Sequence, residues 1–167
     1  QAEEAGVSLN ISTEGIVHED FYGDPLRINQ ILINLLSNAV KFTGRGGAAD
    51  FLAEEIKPER DAGRVRYRFT VSDTGIGMPE DFLSQVFEPF SRSENAARIE
   101  GTGLGLSITK GLVDLMEGQI SAESRIHERS AFTVELEFDR AESENGLSRG
   151  NMGQGFCLSA AEKALAG

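Results

Sequence analysis

The sequence predicts an α/β fold of the α+β kind, a two-layer sandwich in which helices cover one face of a mixed, mostly antiparallel sheet. Three observations carry this. Val65, Tyr67, Phe69 and Val71 alternate with Arg64, Arg66, Arg68 and Thr70, and Phe132, Val134, Leu136 and Phe138 alternate with Thr133, Glu135 and Glu137. A period of two marks strands with one face on a core and the other toward solvent. Between residues 28 and 39, Ile28, Ile31, Leu32, Leu35, Leu36 and Ala39 recur at helical spacing. Finally, 167 residues with 40% hydrophobic and 26% charged side chains are one ordinary globular domain, which needs no disulfide or metal staple.

Each element follows in order. Residues 7–21 alternate loosely, with a turn at Thr13 to Gly15, and predict two short strands. Asp24-Pro25 is a helix start, with Asp at the cap and Pro at the first helical position, where its missing N–H costs nothing. The helix runs to about Phe42, where Gly44, Gly46 and Gly47 end it. Ala48 to Ile56 and Val65 to Val71 are strands joined by the polar hairpin Lys57 to Arg64. A short helix near Glu80 to Val86 precedes a polar stretch, residues 91–100, expected to be a mobile loop. A helix from about Leu104 to Met116 ends at Gly118, read as its C′ glycine, and two strands close the fold. Ile31, Leu32, Leu35, Ile108, Leu112 and Val113 are expected in the core. From Arg140 the periodicity is lost. Five glycines in the last 28 residues mark a linker, with a weak helical signature at Leu158 to Leu165.

Composition excludes several functions. Sixteen Lys and Arg against 27 Asp and Glu give a net charge of −11, so the surface as a whole does not suit nucleic acid or anionic membrane. An anionic ligand has to be met locally. The single Cys157 allows no intrachain disulfide. The longest apolar run, Ile31 to Val40, is broken by Asn34, Ser37 and Asn38 and is too short for a bilayer. The chain starts at Gln1 without a signal-peptide pattern and is expected to be a fragment of something longer.

Three motifs carry chemistry. Arg27, Asn34, Asn38 and Lys41 fall at i, i+7, i+11 and i+14 of the first long helix, a stripe roughly 60° wide. Two amides one turn apart can offer carbonyl oxygens to a hard cation, and a lysine beyond them can meet a phosphate; the same stripe is also the pattern of a solvated helix face. Asp73-Thr74-Gly75-Ile76-Gly77-Met78 puts a carboxylate at a strand end before two glycines. It suits an exocyclic amine approached closely by backbone, or simply a strand-to-helix turn capped by Asp73. Gly101-Thr102-Gly103-Leu104-Gly105-Leu106 opens a helix. Glycines there expose N–H groups at the positive end of the helix dipole, as a phosphate cradle would, or else permit close helix packing.

In this order and spacing, the motifs make the chain resemble the catalytic and ATP-binding domain of sensor histidine kinases, in the gyrase, chaperone, histidine kinase and MutL ATPase superfamily. The asparagine box reads DPLRINQILINLLSNAVKFT (Asp24 to Thr43), the first glycine box DTGIGM (Asp73 to Met78), the phenylalanine box FEPFSR (Phe87 to Arg92) and the second glycine box GTGLGL (Gly101 to Leu106). The resemblance covers about residues 7–139 and implies the Bergerat ATP-binding fold. It implies that Asn38, with Asn34 beside it, holds Mg²⁺ on the ATP phosphates, and that Asn34 and Lys41 serve the reaction, Lys41 by touching a phosphate. It further implies that Asp73 accepts the adenine amine and that Gly75 and Gly77 make room for the base. Phe87 and Phe90 become the root of a lid spanning about Ser91 to Glu100, both anchored in the core. Gly101, Thr102, Gly103, Leu104 and Gly105 clamp the phosphates, and Arg92 reaches the γ-phosphate or lies solvated on the lid.

Hydrolytic relatives place a Glu one turn before the metal-binding Asn; here that position is Asn34, an amide that takes no proton at neutral pH. The γ-phosphoryl group is thereby kept for a nucleophile, in the family a histidine on a separate helical dimerisation domain. His18-Glu19 faintly resembles the acceptor motif, but Asp20 to Gly23 do not continue it, and His18 and His127 read as surface residues. Ser124 to Ser130 replaces the glycine-bearing hairpin common in the family. The resemblance implies residues 1–139 as the ATP-binding domain and 140–167 as a linker or tail toward a following receiver domain. Implied partners are ATP, the dimerisation domain of the same parent and a response regulator or receiver domain, with no nucleic acid and no membrane contact by this domain, in the cytoplasmic part of a membrane-bound bacterial sensor. The alternative is a regulatory module that binds ATP without transferring phosphate.

Overall fold

The computed structural model describes residues 2–59, 63–91, 103–140 and 155–157. In chain order these form α1 (Ala2–Ala5), β1 (Ser8–Glu14), β2 (Asp20–Tyr22), α2 (Pro25–Phe42), β3 (Ala48–Ile56), β4 (Arg64–Asp73), α3 (Glu80–Leu83), α4 (Gly105–Leu115), β5 (Gln119–Arg125), β6 (Arg129–Arg140) and β7 (Gly155–Cys157). The sheet runs β1-β3-β4-β6-β2-β7, with β5 also paired to β6. Every described pairing is antiparallel except β1 with β3.

The alternation expected from the sequence holds, and the register aligns it across the sheet. Phe51, Val71 and Phe132 stand side by side, as do Ala53, Phe69 and Val134, all on the buried face. α2 lays Ile28, Ile31, Leu32, Leu35, Leu36 and Ala39 on that face, and α4 adds Val113. Phe21 of β2 stacks on Phe138 at 4.4 Å and tilts against Tyr67 at 4.9 Å. Truncating a fully buried member such as Leu35 to Ala would cost about 2–5 kcal/mol. α2 begins as the sequence says: the Asp24 carboxylate accepts from the Leu26 and Arg27 N–H groups at 3.1 and 3.2 Å, with Pro25 in the first turn.

The opposite face of β4 and β6 is a charged ladder. Arg68 Nε donates to Glu135 at 2.8 Å, Arg66 bonds the other Glu135 oxygen, and Arg64 pairs with Glu137 and Asp139. Partial burial pushes the Glu135 carboxyl up, but Arg68 and Arg66 outweigh it and hold it below the usual range.

Several local expectations are corrected. The two short strands expected in residues 7–21 form, but the first runs through Thr13 and Glu14 of the expected turn and the two do not pair: β1 lies parallel to β3 at one edge, while β2 pairs with β6 and β7. Glu55 of β3 closes the link between them, accepting from the Val17 and His18 N–H groups at 2.6 and 2.8 Å and bonding His18 Nδ1 at 2.6 Å. His18, whose carbonyl also accepts from the Tyr67 hydroxyl, is therefore a half-buried clamp and not a free surface residue. α4 ends one residue earlier in its capping than expected. The left-handed residue is Glu117 (φ 55°), with Glu117 N–H on Asp114 O at 3.0 Å and Gly118 N–H on Val113 O at 2.9 Å, a Schellman motif in which Gly118 is C″. Gly118 is needed for space, since a Cβ there would lie 2.5 Å from Leu136. Ile108 is 44% exposed, because it sits on the side of α4 away from Thr109 and Val113. Within the segment expected to be a linker, Gly155–Cys157 pair antiparallel with β2. The helical signature at Leu158 to Leu165 lies outside the described residues.

Candidate nucleotide site between two helices

The site begins where the buried alternation of β4 ends. Asp73 takes the next core-facing position after Val71, flanked in register by Ala49 of β3 and Ser130 of β6, and is only 5% exposed. Its Oδ1 accepts from the Gly75 N–H at 2.8 Å. Burial pushes the carboxyl up to about 6 and the Gly75 bond opposes this only partly. A carboxylate held in a nearly apolar place with one oxygen committed to backbone is an acceptor waiting for a donor, the arrangement that perturbed groups at binding sites show.

The turn after Asp73 is fixed on three sides by backbone. Thr74 N–H donates to Ala48 O at 3.0 Å, Ile76 N–H to Phe42 O at 3.2 Å, and His127 N–H to Ile76 O at 2.8 Å. Ser124 Oγ accepts from the Met78 N–H at 2.8 Å and donates to Arg129 O at 2.9 Å. The glycines serve these approaches. A Cβ on Gly75 would fall 2.3 Å from Phe42 O, and one on Gly77 (φ 64°) would fall 2.0 Å from Arg125 O. The two approaches hold the turn between the end of α2 and the β5–β6 hairpin.

The other end of the site is made by α2 and α4, which run antiparallel so that their polar positions meet. Asn34 Nδ2 donates to Thr109 Oγ1 at 3.3 Å, and a methyl placed on Gly105 would lie 4.0 Å from Asn38 Nδ2. Asn38 thus faces the start of α4 and Asn34 meets its second turn, so the polar stripe is not merely a solvated surface. Its ends differ. Arg27 turns back to its own cap, Nε to Asp24 at 3.1 Å, while Lys41 is exposed with Nζ 5.4 Å from the Phe42 ring centroid. Leu104, at the cap position of α4, has no side-chain oxygen to offer the N–H groups of the first turn. Among the described residues no group of three His, Cys, Asp or Glu could hold a metal alone. Two neutral amides beside a helix N terminus fit Mg²⁺ that takes its remaining ligands from phosphates and water.

The phenylalanine box is divided. Phe87 packs edge-on against Phe132 at 6.3 Å, as expected of a root. Phe90 is not anchored in the core: it is 72% exposed in the left-handed region (φ 63°), because the chain doubles back there and Phe90 N–H donates to Gly103 O at 3.0 Å. Leu104 and Gly105 begin α4. Arg92, Gly101 and Thr102, with nearly all of the stretch expected to be a mobile lid, lie outside the described residues.

Sequence reasoning missed Thr109, Ser124 and Ser130. Ser130 was within reach, since extending the alternation of Phe132 to Phe138 back by one step puts a hydroxyl beside Asp73. Thr109 gives no such signal; only the packing of α2 on α4 shows a fully buried hydroxyl.

The comparisons with known proteins give the family. Residues 23–140 match the family described as histidine kinase-, DNA gyrase B- and HSP90-like ATPase. Sensor histidine kinase AruS of Pseudomonas aeruginosa is 40% identical over 139 residues, 82% of this chain and 14% of that protein. Circadian input-output histidine kinase CikA of Synechococcus elongatus is 49% identical over 116 residues, 68% of this chain and 14% of that protein. Full-length ShkA in complex with AMPPNP superposes with a TM-score of 0.68 at 32% identity, covering 85% of this chain and 28% of that one. The catalytic domain of histidine kinase ThkA gives 0.66 at 28% identity, covering 81% and 83%. The chain spans about a seventh of the length of these curated relatives. It belongs to the histidine kinase-, DNA gyrase B- and HSP90-like ATPase family, as an ATP-binding catalytic domain of the histidine kinase kind.

Proposed function

We propose that this chain binds Mg²⁺-ATP with the base at Asp73 and the phosphates between α2 and α4, and delivers the γ-phosphoryl group to a histidine on the dimerisation domain of the same parent protein. The observation that supports this is the pair Asn34 and Asn38 set against the first two turns of α4. The metal, when bound, would neutralise phosphate charge; Asn38, with Asn34 beside it, would hold it, and Lys41 would supply a point charge to a phosphate. Asn34 cannot take a proton from water, so hydrolysis is slow and the phosphoryl group waits for imidazole. In the transfer the β–γ P–O bond breaks, ADP leaves, an N–P bond forms and the imidazole gives up its proton.

Asp73 accepts the adenine amine; Leu104, Gly103 and Gly105 lie at the phosphate end, with Gly101, Thr102 and Arg92 completing it in this reading. Residues 1–139 act as the domain, and 140–167 lead toward a receiver domain or response regulator. The parent is a bacterial membrane-bound sensor with this part in the cytoplasm; within the described residues no helix is long and apolar enough to cross a membrane. The test is to incubate the chain with labelled ATP and its dimerisation domain in trans. Acid-labile phosphohistidine is expected; ATP binding without any phosphohistidine would instead establish a regulatory nucleotide-binding module.

A further inference from the structure

Thr109 sits in the middle of α4, fully buried, and its hydroxyl touches two groups. It lies 2.9 Å from Gly105 O and 3.3 Å from the Asn34 side-chain amide. A hydroxyl carries one hydrogen, and a backbone carbonyl offers only lone pairs. The hydrogen therefore goes to Gly105 O, and toward Asn34 the hydroxyl can only accept. The group of Asn34 that meets it must be the NH₂, which leaves Oδ1 turned the other way. A helical threonine bonded to its own i−4 carbonyl thus decides which end of a neighbouring helix's amide faces where.

We propose that Thr109 is the positioning residue of the phosphate end: it fixes the Asn34 amide so that its oxygen, not its nitrogen, is left for the metal that the phosphates carry. The proposal rests on the reading of α2 as the metal-binding helix. An amide free to rotate would present NH₂ part of the time, and a donor there repels a cation. Thr109 is fully buried, so water does not replace its hydroxyl as the partner of the Asn34 amide. The bond also spans two elements, joining the middle of α2 to the first turns of α4 at the place where Gly105 passes Asn38.

Two substitutions separate hydroxyl from volume. Thr109→Val keeps the shape and loses the acceptor; Thr109→Ser keeps the acceptor and loses a buried methyl. ATP affinity is measured on the 167-residue chain by calorimetry with Mg²⁺ and with EDTA, and the ratio of the two is compared. Thr109→Val is expected to lower that ratio by about three- to tenfold, with affinity for metal-free ATP nearly unchanged. Thr109→Ser is expected to keep the wild-type ratio while melting at a lower temperature, the reverse of what a packing role would give. In parallel, the Asn34 side-chain NH₂ signals of the ligand-free chain should move in Thr109→Val and stay in Thr109→Ser. An unchanged ratio in Thr109→Val, a ratio lost equally in both variants, or unmoved Asn34 signals in Thr109→Val would each overturn the proposal. A wild-type chain whose ATP affinity ignores Mg²⁺ would overturn the metal-helix reading, and the Asn34 signals would then judge the orientation by themselves.

Discussion

The two ends of the site are built by different means. Around Asp73 the chain is held by main-chain bonds to β3, to the end of α2 and to the β5–β6 hairpin, with glycines at the two closest approaches. Between α2 and α4, among the described residues, Asn34 bonds the Thr109 hydroxyl and Asn38 lies near Gly105. The Asp73 end is therefore preformed by main chain, and the end between α2 and α4 is less so. On the proposed reading this joins a rigid site for the invariant half of a nucleotide to an adaptable one for the half that changes from triphosphate to diphosphate, which would suit a domain that must tell these states apart.

The rigid end should break most sharply at Gly77. A Cβ there combines a left-handed backbone with a 2.0 Å approach to Arg125 O, so Gly77→Ala is expected to cost about 3–5 kcal/mol in denaturant unfolding. Unfolding at the wild-type denaturant concentration would mean the hairpin yields easily and the base end is not a frame.

Asp73→Asn comes next. It is expected to weaken ATP by roughly ten- to a hundredfold and to narrow the gap to GTP, read by calorimetry with both nucleotides. An unaltered ATP to GTP ratio would remove Asp73 from base recognition. The same variant carries a pH signature of opposite sign in the free protein. The Asp73 carboxyl is raised from 3.8 unfolded to about 6 folded, so its contribution to stability is fully present below 3.8 and is lost as pH rises through about 6. At pH 7 Asp73→Asn should therefore unfold later than wild type by about 1–3 kcal/mol, and the gap should close toward pH 4. A gap independent of pH would mean the carboxyl titrates normally.

At the other end, Asn38→Ala should lose about tenfold of the metal-dependent affinity for ATP while Asn38→Asp retains it, since Mg²⁺ accepts either oxygen. Unchanged Mg²⁺-ATP binding in Asn38→Ala would refute the metal role. The smallest effect concerns the junction of Phe90 and Gly103. The Phe90 amide, bonded to Gly103 O, should exchange more slowly with a non-hydrolysable Mg²⁺-ATP analogue and less so with ADP. Equal slowing by both would show that this junction does not read the γ-phosphate.

Most of this frame can be read from the sequence, and the reason is periodicity. Alternation in β4 and β6 and the helical run in α2 each report a buried face, and Asp73 stands out as a charge at the end of one. What could not be read depends on pairing at a distance. The place of β1 is not legible because local pattern says nothing about which edge a strand joins. It ends at Glu14, and its parallel partner β3 begins only at Ala48, after β2 and the whole of α2. Phe90 looks like core because aromatic residues usually are; the left-handed turn that expels it is a property of the chain closing on Gly103. Thr109 looks like one more helix residue until α2 is laid beside it.

The bond from Phe90 to Gly103 has a consequence for how the domain tolerates change. It brings the two ends of the stretch between them to one point on the frame, so the cost of joining those ends is already met by the fold on either side. The start of α4 is thereby tied to the end of the phenylalanine box by a main-chain bond, which most changes of side chain at Phe90 leave in place. Proline at that position, which has no N–H to give, would remove the tie while leaving the sheet, α2 and the Asp73 turn untouched.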